Sequence, residues 1–410
     1  MGWQGRPYCA LSAGARRGQR GRCQAPFSEL TKKTIMTEAY RQHHGRILCD
    51  EHWLAGTLTV APDGRIAAIE ERAAAPGPGR AATLLPGFID LHVHGGGGAD
   101  IMQGGDACAR IAAAHVRHGT TALLATTMTA PMAELESVLA GLGLACGTRQ
   151  PGAARVLGVH LEGPFINQEK LGAQPDHACV AVIDSLRRLR SLAPIRVITI
   201  APEIAGHLDI IRELSADGVR MQIGHTSGSY DDGVAGLRHG ATSFAHLFNA
   251  MTGLHHRQPG IVGAALAHAR YAEIIPDLLH VHPGALLTAL RAIPQLYCVT
   301  DSTSATGMAD GDYRLGSHTV HKCQGGVRLA DGTLAGSCLT MDQALRNLVS
   351  VGLDLADASR RLSAYPADYL GVADRGRLRV GAWADIAIFD EQLALRAVVA
   401  EGERIAMAHA

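Results

Sequence analysis

The middle of this chain repeats one alternation, a short apolar run followed by a stretch with helical spacing. That pattern constrains the fold more than any other feature. Residues 122–125 lead into 130–142, 156–159 into 183–189, and 197–200 into 205–214. Further strand-like runs follow at 221–223, 242–244, 271–275 and 296–299. Strands that alternate with helices predict a parallel sheet, because a parallel pair needs a crossover long enough to hold a helix. About eight such units fill residues 86–374, which is the size of a TIM-type (β/α)8 barrel. The predicted class is therefore α/β.

The two ends read differently. Residues 45–49, 56–60 and 65–69 are short strand-like runs set apart by turn residues such as Pro62, Asp63 and Gly64. Near the other end, 381–389 and 397–405 again read as strands, with a turn at Glu401, Gly402 and Glu403. The expectation is a small β-sandwich domain built from 45–85 plus 375–408, beside a barrel of 86–374. Residues 1–35 stand apart, being rich in Arg and Gly, with no acidic residue before Glu29. This composition suits an organelle transit peptide. It equally suits an upstream stretch translated from a misassigned start codon, with Met36 rather than Met1 as the natural start. In either case the stretch lies outside the expected fold.

Composition excludes several classes. Lys plus Arg and Asp plus Glu number 38 each, so no basic field exists to hold nucleic acid non-specifically. No apolar run approaches bilayer-spanning length. The nine cysteines are odd in number and include no C-x-x-C pair. They read as free thiols in a reducing, cytoplasmic compartment rather than as a disulfide framework. Histidine is the outlier at 21 copies, and it is the commonest metal ligand.

Catalytic groups of a (β/α)8 barrel sit at the C-terminal ends of its strands. The first polar group in such a place is His92-Val93-His94, after Phe88-Ile89-Asp90-Leu91. Alternating side chains put both imidazoles on one face, able to reach one metal. With this many histidines one H-x-H arises by chance, and the chain holds a second, His280 and His282, so the pair alone leaves both readings open. Glu162 ends the run 156–161 and precedes Gly163-Pro164. A carboxylate there bridges two cations, completes a one-metal site or merely caps a loop, and His160 reads as a buried structural histidine. His225 and His246 each follow a short apolar run, about one β/α unit apart. Asp301 follows 296–299, where it either accepts a proton from an activated water or caps the next helix. Jointly, these groups offer imidazole and carboxylate ligands suited to zinc or a similar first-row cation, with room left for water.

These residues and the stretches around them resemble the N-acetylglucosamine-6-phosphate deacetylase family of the amidohydrolase superfamily. The stretches are PGFIDLHVHG, GTTALLATTMT, HLEGPFIN, GHTSG, HLFNAMTGLHHRQPG, VTDSTSATGM and LAGSCLTMDQALRNLV, spread from Gly45 to the end of the chain. The resemblance implies that Glu162, His225 and His246 bind the main divalent metal, that His92 and His94 support a second, and that Asp301 is the catalytic base. Zinc leads the candidates, with iron, manganese or cobalt also compatible, one or two ions per subunit. It also implies sugar-phosphate contacts from Asn249 and Ala250, a substrate contact from His280, and a loop of Leu334, Ala335, Gly336 and Ser337 closing over the sugar. Arg257 resembles the arginine that reaches the phosphate in the neighbouring subunit, which implies a homodimer.

Two positions depart from the family pattern. Gln174, after Ala173, stands where some members carry a histidine that polarises the acetyl carbonyl. A second metal on His92 and His94 would compensate for that loss. Leu278 follows Asp277 where glycine is usual before His280, which leaves the shape of this loop open. The implied reaction is hydrolysis of the acetamide of N-acetylglucosamine 6-phosphate. The galacto epimer and N-acyl-amino acids are alternative substrates. A non-catalytic barrel would have lost ligands, whereas each expected position is filled here.

Overall fold

The computed structural model describes residues 41–50, 52–71 and 82–407. The expected leader at 1–35, with Cys9 and Cys23, lies outside them. Four strands open the described chain: β1 (Arg41–Cys49), β2 (His52–Val60), β3 (Ile66–Glu71) and β4 (Thr83–Pro86). Strand and helix then alternate: β5 (Phe88–Val93), α1 (Ala107–Val116), β6 (Thr120–Thr126), α2 (Met132–Ala145), β7 (Arg155–Glu162), α3 (Ile183–Leu192), β8 (Ile195–Ile200) and α4 (His207–Ala216). The same rhythm continues through β9 (Arg220–Ile223), α5 (Tyr230–His239), β10 (Ser243–Phe244), α6 (Gly260–His268), β11 (Tyr271–Ile274), α7 (Pro283–Ala292) and β12 (Gln295–Cys298). A meander of β13 (Gly311–Leu315), β14 (His318–Cys323) and β15 (Gly326–Arg328) precedes α8 (Met341–Ser350), α9 (Leu355–Leu362) and α10 (Ala364–Leu370). The last strands are β16 (Ile386–Phe389), β17 (Leu395–Ala400) and β18 (Glu403–Arg404).

Strands β5 to β10 form one six-stranded sheet in sequence order, every pair parallel. Strands β11 and β12 pair in parallel as a second, two-stranded sheet. Main-chain hydrogen bonds connect the two sheets at both ends of the series. The Leu247 N–H donates to the Glu273 carbonyl (2.9 Å), and the Asp301 N–H donates to the His92 carbonyl (3.0 Å). The result is a curled parallel sheet with helices between its strands. Its strands are near-continuous apolar runs because both faces are covered; all seven residues of β6 are buried. Helix starts and stops follow local chemistry. Ser229 and Asp232 form a reciprocal cap on α5, and Gly240 ends that helix at φ 116°.

The two chain ends meet in one seven-stranded sheet, in the order β18, β17, β16, β4, β1, β2, β3. Side-chain alternation lets this sheet serve two cores. Ile47, Leu84, Ile386 and Val399 point into a small core with Leu58, Val60, Ile66 and Leu378. Their neighbours Leu48, Leu85, Ala387 and Val398 join the main core under the parallel sheet. The repeated short strands anticipate a sandwich of two sheets. The described strands form a single sheet instead, because its second face is covered by the main core rather than by another sheet.

Candidate metal centre and active site

Alternation along β5 puts Asp90, His92 and, just beyond the strand, His94 on one face, while Ile89, Leu91 and Val93 face the other way. On β7 the same rule puts His160 and Glu162 on one face. His225 follows β9, His246 follows β10 and Asp301 follows β12, all at C-terminal strand ends. These last three residues have positive φ, at 47°, 25° and 49°. Non-glycine residues held there mark backbone strain kept in place by surrounding structure.

Glu162 is the centre. Its Oε1 lies 3.0 Å from His246 Nε2, 3.3 Å from His225 Nε2 and 3.4 Å from His92 Nε2. Its Oε2 lies 3.1 Å from His94 Nε2 and accepts a 2.6 Å hydrogen bond from Gln174 Nε2. Asp301 Oδ1 is 3.3 Å from His94 Nε2 and 3.6 Å from His92 Nε2. Two groups of metal-ligand type share the glutamate, His92–His94–Glu162 and Glu162–His225–His246, and all five residues are buried.

The far ring nitrogens fix which lone pairs face inward. His94 Nδ1 meets the Thr126 carbonyl at 3.2 Å and His225 Nδ1 meets the Lys170 carbonyl at 2.8 Å. A carbonyl only accepts, so Nδ1 carries the proton in both and Nε2 presents a lone pair to the centre. His92 Nδ1 meets the Glu273 carboxylate at 3.0 Å, which assigns the same tautomer. His246 differs, since its Nδ1 is buried without a partner among the described residues. Several inward lone pairs and two carboxylates repel one another unless positive charge sits between them. This donor set fits a divalent cation.

The electrostatics say the same. Burial pulls the His94 imidazole down, yet Asp301 and Glu162 lift it to about 9: with no cation between them, these carboxylates draw a proton onto Nε2 instead. Burial pushes the Glu162 carboxyl up, but His92 and His225 beside it hold it well below the usual range. Asp301 is likewise held at about 2 against burial, by His92 and His94. The site is a well of negative potential that draws in positive charge.

The centre forms the floor of a cavity of about 240 Å³. Gly172, Ala173 and Gln174 line one wall, Asn249, Ala250 and His280 another, and Leu334 and Gly336 the rim. Asn249 donates its amide to the His246 carbonyl at 3.2 Å. The Ala250 N–H donates to no protein acceptor among the described residues. His280 is oriented by Asp277, whose Oδ2 is 2.7 Å from Nδ1, so its Nε2 is left for a ligand. The second H-x-H pair divides, since His282 caps α7.

Other expected residues lie elsewhere. Ala335 is fully buried behind the wall, in the core of the meander. Ser337 also lies behind it, donating its N–H to the Asp301 carbonyl at 2.7 Å and its hydroxyl to the Thr300 carbonyl. Arg257 is exposed and lines a separate cleft with Ser227, His255 and Gln258. His160 bonds the Leu91 carbonyl and the Thr199 hydroxyl, the structural role its position suggests. Glu273 escaped sequence reasoning. Its signal was an acid inside the apolar run 271–275, where an unpaired carboxylate would be costly.

Comparison with known proteins agrees with this geometry. The amidohydrolase family model matches residues 83–405. An N-acetylgalactosamine-6-phosphate deacetylase of Escherichia coli O157:H7 is 38% identical over 367 residues, covering 87% of this chain and 97% of that one. An N-acetylglucosamine-6-phosphate deacetylase of Lysinibacillus sphaericus is 36% identical over 352 residues, covering 83% and 91%. A solved aspartate-to-alanine variant of the Mycobacterium smegmatis N-acetylglucosamine-6-phosphate deacetylase, in complex with N-acetylglucosamine 6-phosphate, superposes with a TM-score of 0.82. It is 34% identical and covers 90% of this chain and 99% of that one. The chain belongs to the amidohydrolase family, in its N-acetylglucosamine-6-phosphate deacetylase branch. Among the described residues no helix is long and apolar enough to cross a membrane.

Proposed function

We propose that this protein hydrolyses the acetamide of N-acetylglucosamine 6-phosphate to glucosamine 6-phosphate and acetate. The observation that carries the reading is Glu162 shared between two histidine pairs, with Asp301 beside it, at the floor of a cavity. Glu162, His225 and His246 would hold the main cation, and His92 and His94 a second. Zinc is the foremost candidate, with iron, manganese or cobalt also suited to these ligands. When bound, such a cation supplies Lewis-acid charge that acidifies water and stabilises an oxyanion.

The protein's own groups do the rest. Asp301 Oδ1 removes a proton from the attacking water and returns it to the leaving amine. The Ser337 N–H, bonded to the Asp301 main-chain carbonyl, holds the backbone that carries that carboxylate. Gln174 bridges the Thr129 N–H and Glu162 Oε2, each at 2.6 Å, and so holds the shared carboxylate in place. His280, Asn249 and Ala250 bind the sugar phosphate away from the reacting bond, which orients it. Leu334, Ala335, Gly336 and Ser337 form the loop over the sugar.

Arg257, exposed and remote from its own cavity, reaches the phosphate in the partner subunit of a homodimer, where its fork suits phosphate oxygens. The eight parallel strands act as a closed (β/α)8 barrel, a reading supported by the hydrogen bonds from Leu247 to Glu273 and from Asp301 to His92. The small domain joins 45–85 to 375–408, and the barrel spans 86–374. The enzyme works in the cytoplasm, as its seven free described thiols suit.

Acetate release from N-acetylglucosamine 6-phosphate, its galacto epimer and the unphosphorylated sugar, on metal-quantified protein, tests the reading. The 38% identical N-acetylgalactosamine-6-phosphate deacetylase makes the galacto arm necessary. Turnover of the gluco substrate alone supports the proposal, and turnover of the galacto epimer alone moves it to the sibling. Asp301→Asn should keep its metal and lose at least about 10²-fold in kcat. Retained turnover would remove Asp301 from its role. Gln174→Ala should lose less than about tenfold in kcat with two ions bound and more with one, because Glu162 shared by two cations would depend less on the lost amide contact.

A further inference from the structure

A second cavity, of about 630 Å³, opens at the other end of the parallel strands. Arg220 and Tyr271 are the first residues of β9 and β11, and both line it. His225 lies past the far end of β9, so the two cavities are separated by about five residues of strand, roughly 16 Å.

The lining is basic and aromatic. Arg220, Arg238 and Arg270 converge on it with His268, and the only acid there, Asp368, is already held by both guanidinium nitrogens of Arg377 at 2.8 Å. Among the described residues none of the three arginines makes an ion pair, and Arg220 and Arg238 make no side-chain hydrogen bond. Arg270 bonds only the neutral Gln295 amide, at 2.6 Å. Arg196 adds a fourth positive charge close behind, its basicity lowered by burial and then by the neighbouring Arg220. Tyr271 and Tyr369 form an aromatic wall, with ring centroids 5.3 Å apart, and Leu237 and Val234 add apolar surface. A helix C-terminus explains Arg238, in the last turn of α5, while Arg270 and Arg220 lie over the Tyr271 and Tyr369 rings at 5.5 and 5.9 Å, contacts that leave their charge unneutralised.

Guanidinium groups without an acidic partner among the described residues, gathered in a concave site, call for an anion with several oxygens. The cavity exceeds what phosphate alone would fill, and its rings suit a flat body. We propose that this cavity is a second binding site, for a small phosphate-bearing ring compound of the nucleoside monophosphate kind. It is distinct from the metal centre and does not depend on the reaction assigned there.

The test is calorimetric titration of the full chain with AMP, adenosine and inorganic phosphate, repeated on Arg238→Gln and Arg270→Gln. Both side chains are exposed, so the variants fold, and unchanged melting checks that. The expected result is saturable AMP binding that is about tenfold weaker in each variant, with phosphate weaker than AMP and adenosine weaker still. Acetate release by the variants should match the parent. No AMP binding at about 10 mM overturns the proposal. So does an affinity unchanged in both variants, or AMP binding no tighter than phosphate or adenosine.

Discussion

Leu278 is held at φ 66°, a conformation that costs a side-chain-bearing residue about 1 kcal/mol and glycine almost nothing. The loop keeps its shape because Asp277 organises it. Asp277 Oδ1 accepts from the N–H groups of Leu279 and His280, and Oδ2 orients the His280 ring. The Leu278 side chain recovers the strain by packing on the main core. The departure from the family's glycine therefore leaves the histidine in place. Leu278→Gly should change stability by less than about 1 kcal/mol, because relieved strain offsets lost packing, and should leave KM unchanged. Asp277→Ala, which frees His280, should raise KM about tenfold. Melting curves and steady-state kinetics of both variants check this, and a larger KM effect from the leucine than from the aspartate would refute it. Legibility at this scale follows the same logic. His92, His94, Glu162, His225, His246 and Asp301 could be singled out because each is a polar residue at, or within two residues of, the end of an apolar run. The Lys170 and Thr126 carbonyls that set imidazole tautomers could not, since a carbonyl carries no sequence signal.

Elements were legible where burial is two-sided. The parallel strands announce themselves as apolar runs, and their helices by spacing, so observed bounds differ from expected ones by few residues. The meander β13 to β15 was missed because its exposed face carries His, Lys, Asp and Arg among few apolar positions. Its inner face is what matters for the site. Leu315, Val320 and Val327 pack with Met128, Ala305 and Ala335, and this places Leu315, Thr333 and Leu334 on the cavity rim. Val320 is fully buried there. Val320→Asp should unseat the meander at a local cost of about 2 kcal/mol or more. KM for the phosphorylated sugar should rise while the parallel sheet, whose core is separate, melts within a few degrees of the parent. Limited proteolysis should then cut within 311–328. Global unfolding with no new cleavage there would mean that the meander supports the whole fold rather than the rim alone.

At the scale of the whole molecule, an ion network ties the terminal sheet to the parallel one. Glu401, in the turn between β17 and β18, receives Arg155 at 2.7 and 2.8 Å, Arg149 at 3.3 Å, and Arg375. Arg375 also holds Asp385 at 2.7 Å, and the Glu401 N–H donates to Asp385 Oδ1. Burial raises the Glu401 carboxyl, but Arg155 and Arg375 overrule it and hold it at about 2, against an ordinary value of 4.5. A carboxyl depressed in the folded state binds its proton more readily once unfolded. Its contribution is therefore complete above pH 4.5 and is lost as pH falls from there towards 2. Glu401→Gln leaves Arg155 and Arg375 short of a counter-charge, so it should cost about 3 kcal/mol at neutral pH. Between pH 4.5 and about 2 the variant's stability should fall less steeply with acid than the parent's, because it has no depressed carboxyl left to protonate. Denaturant unfolding at stepped pH measures both. Parallel curves for the two proteins through that window would show that the network holds the sheets together without coupling their union to protons.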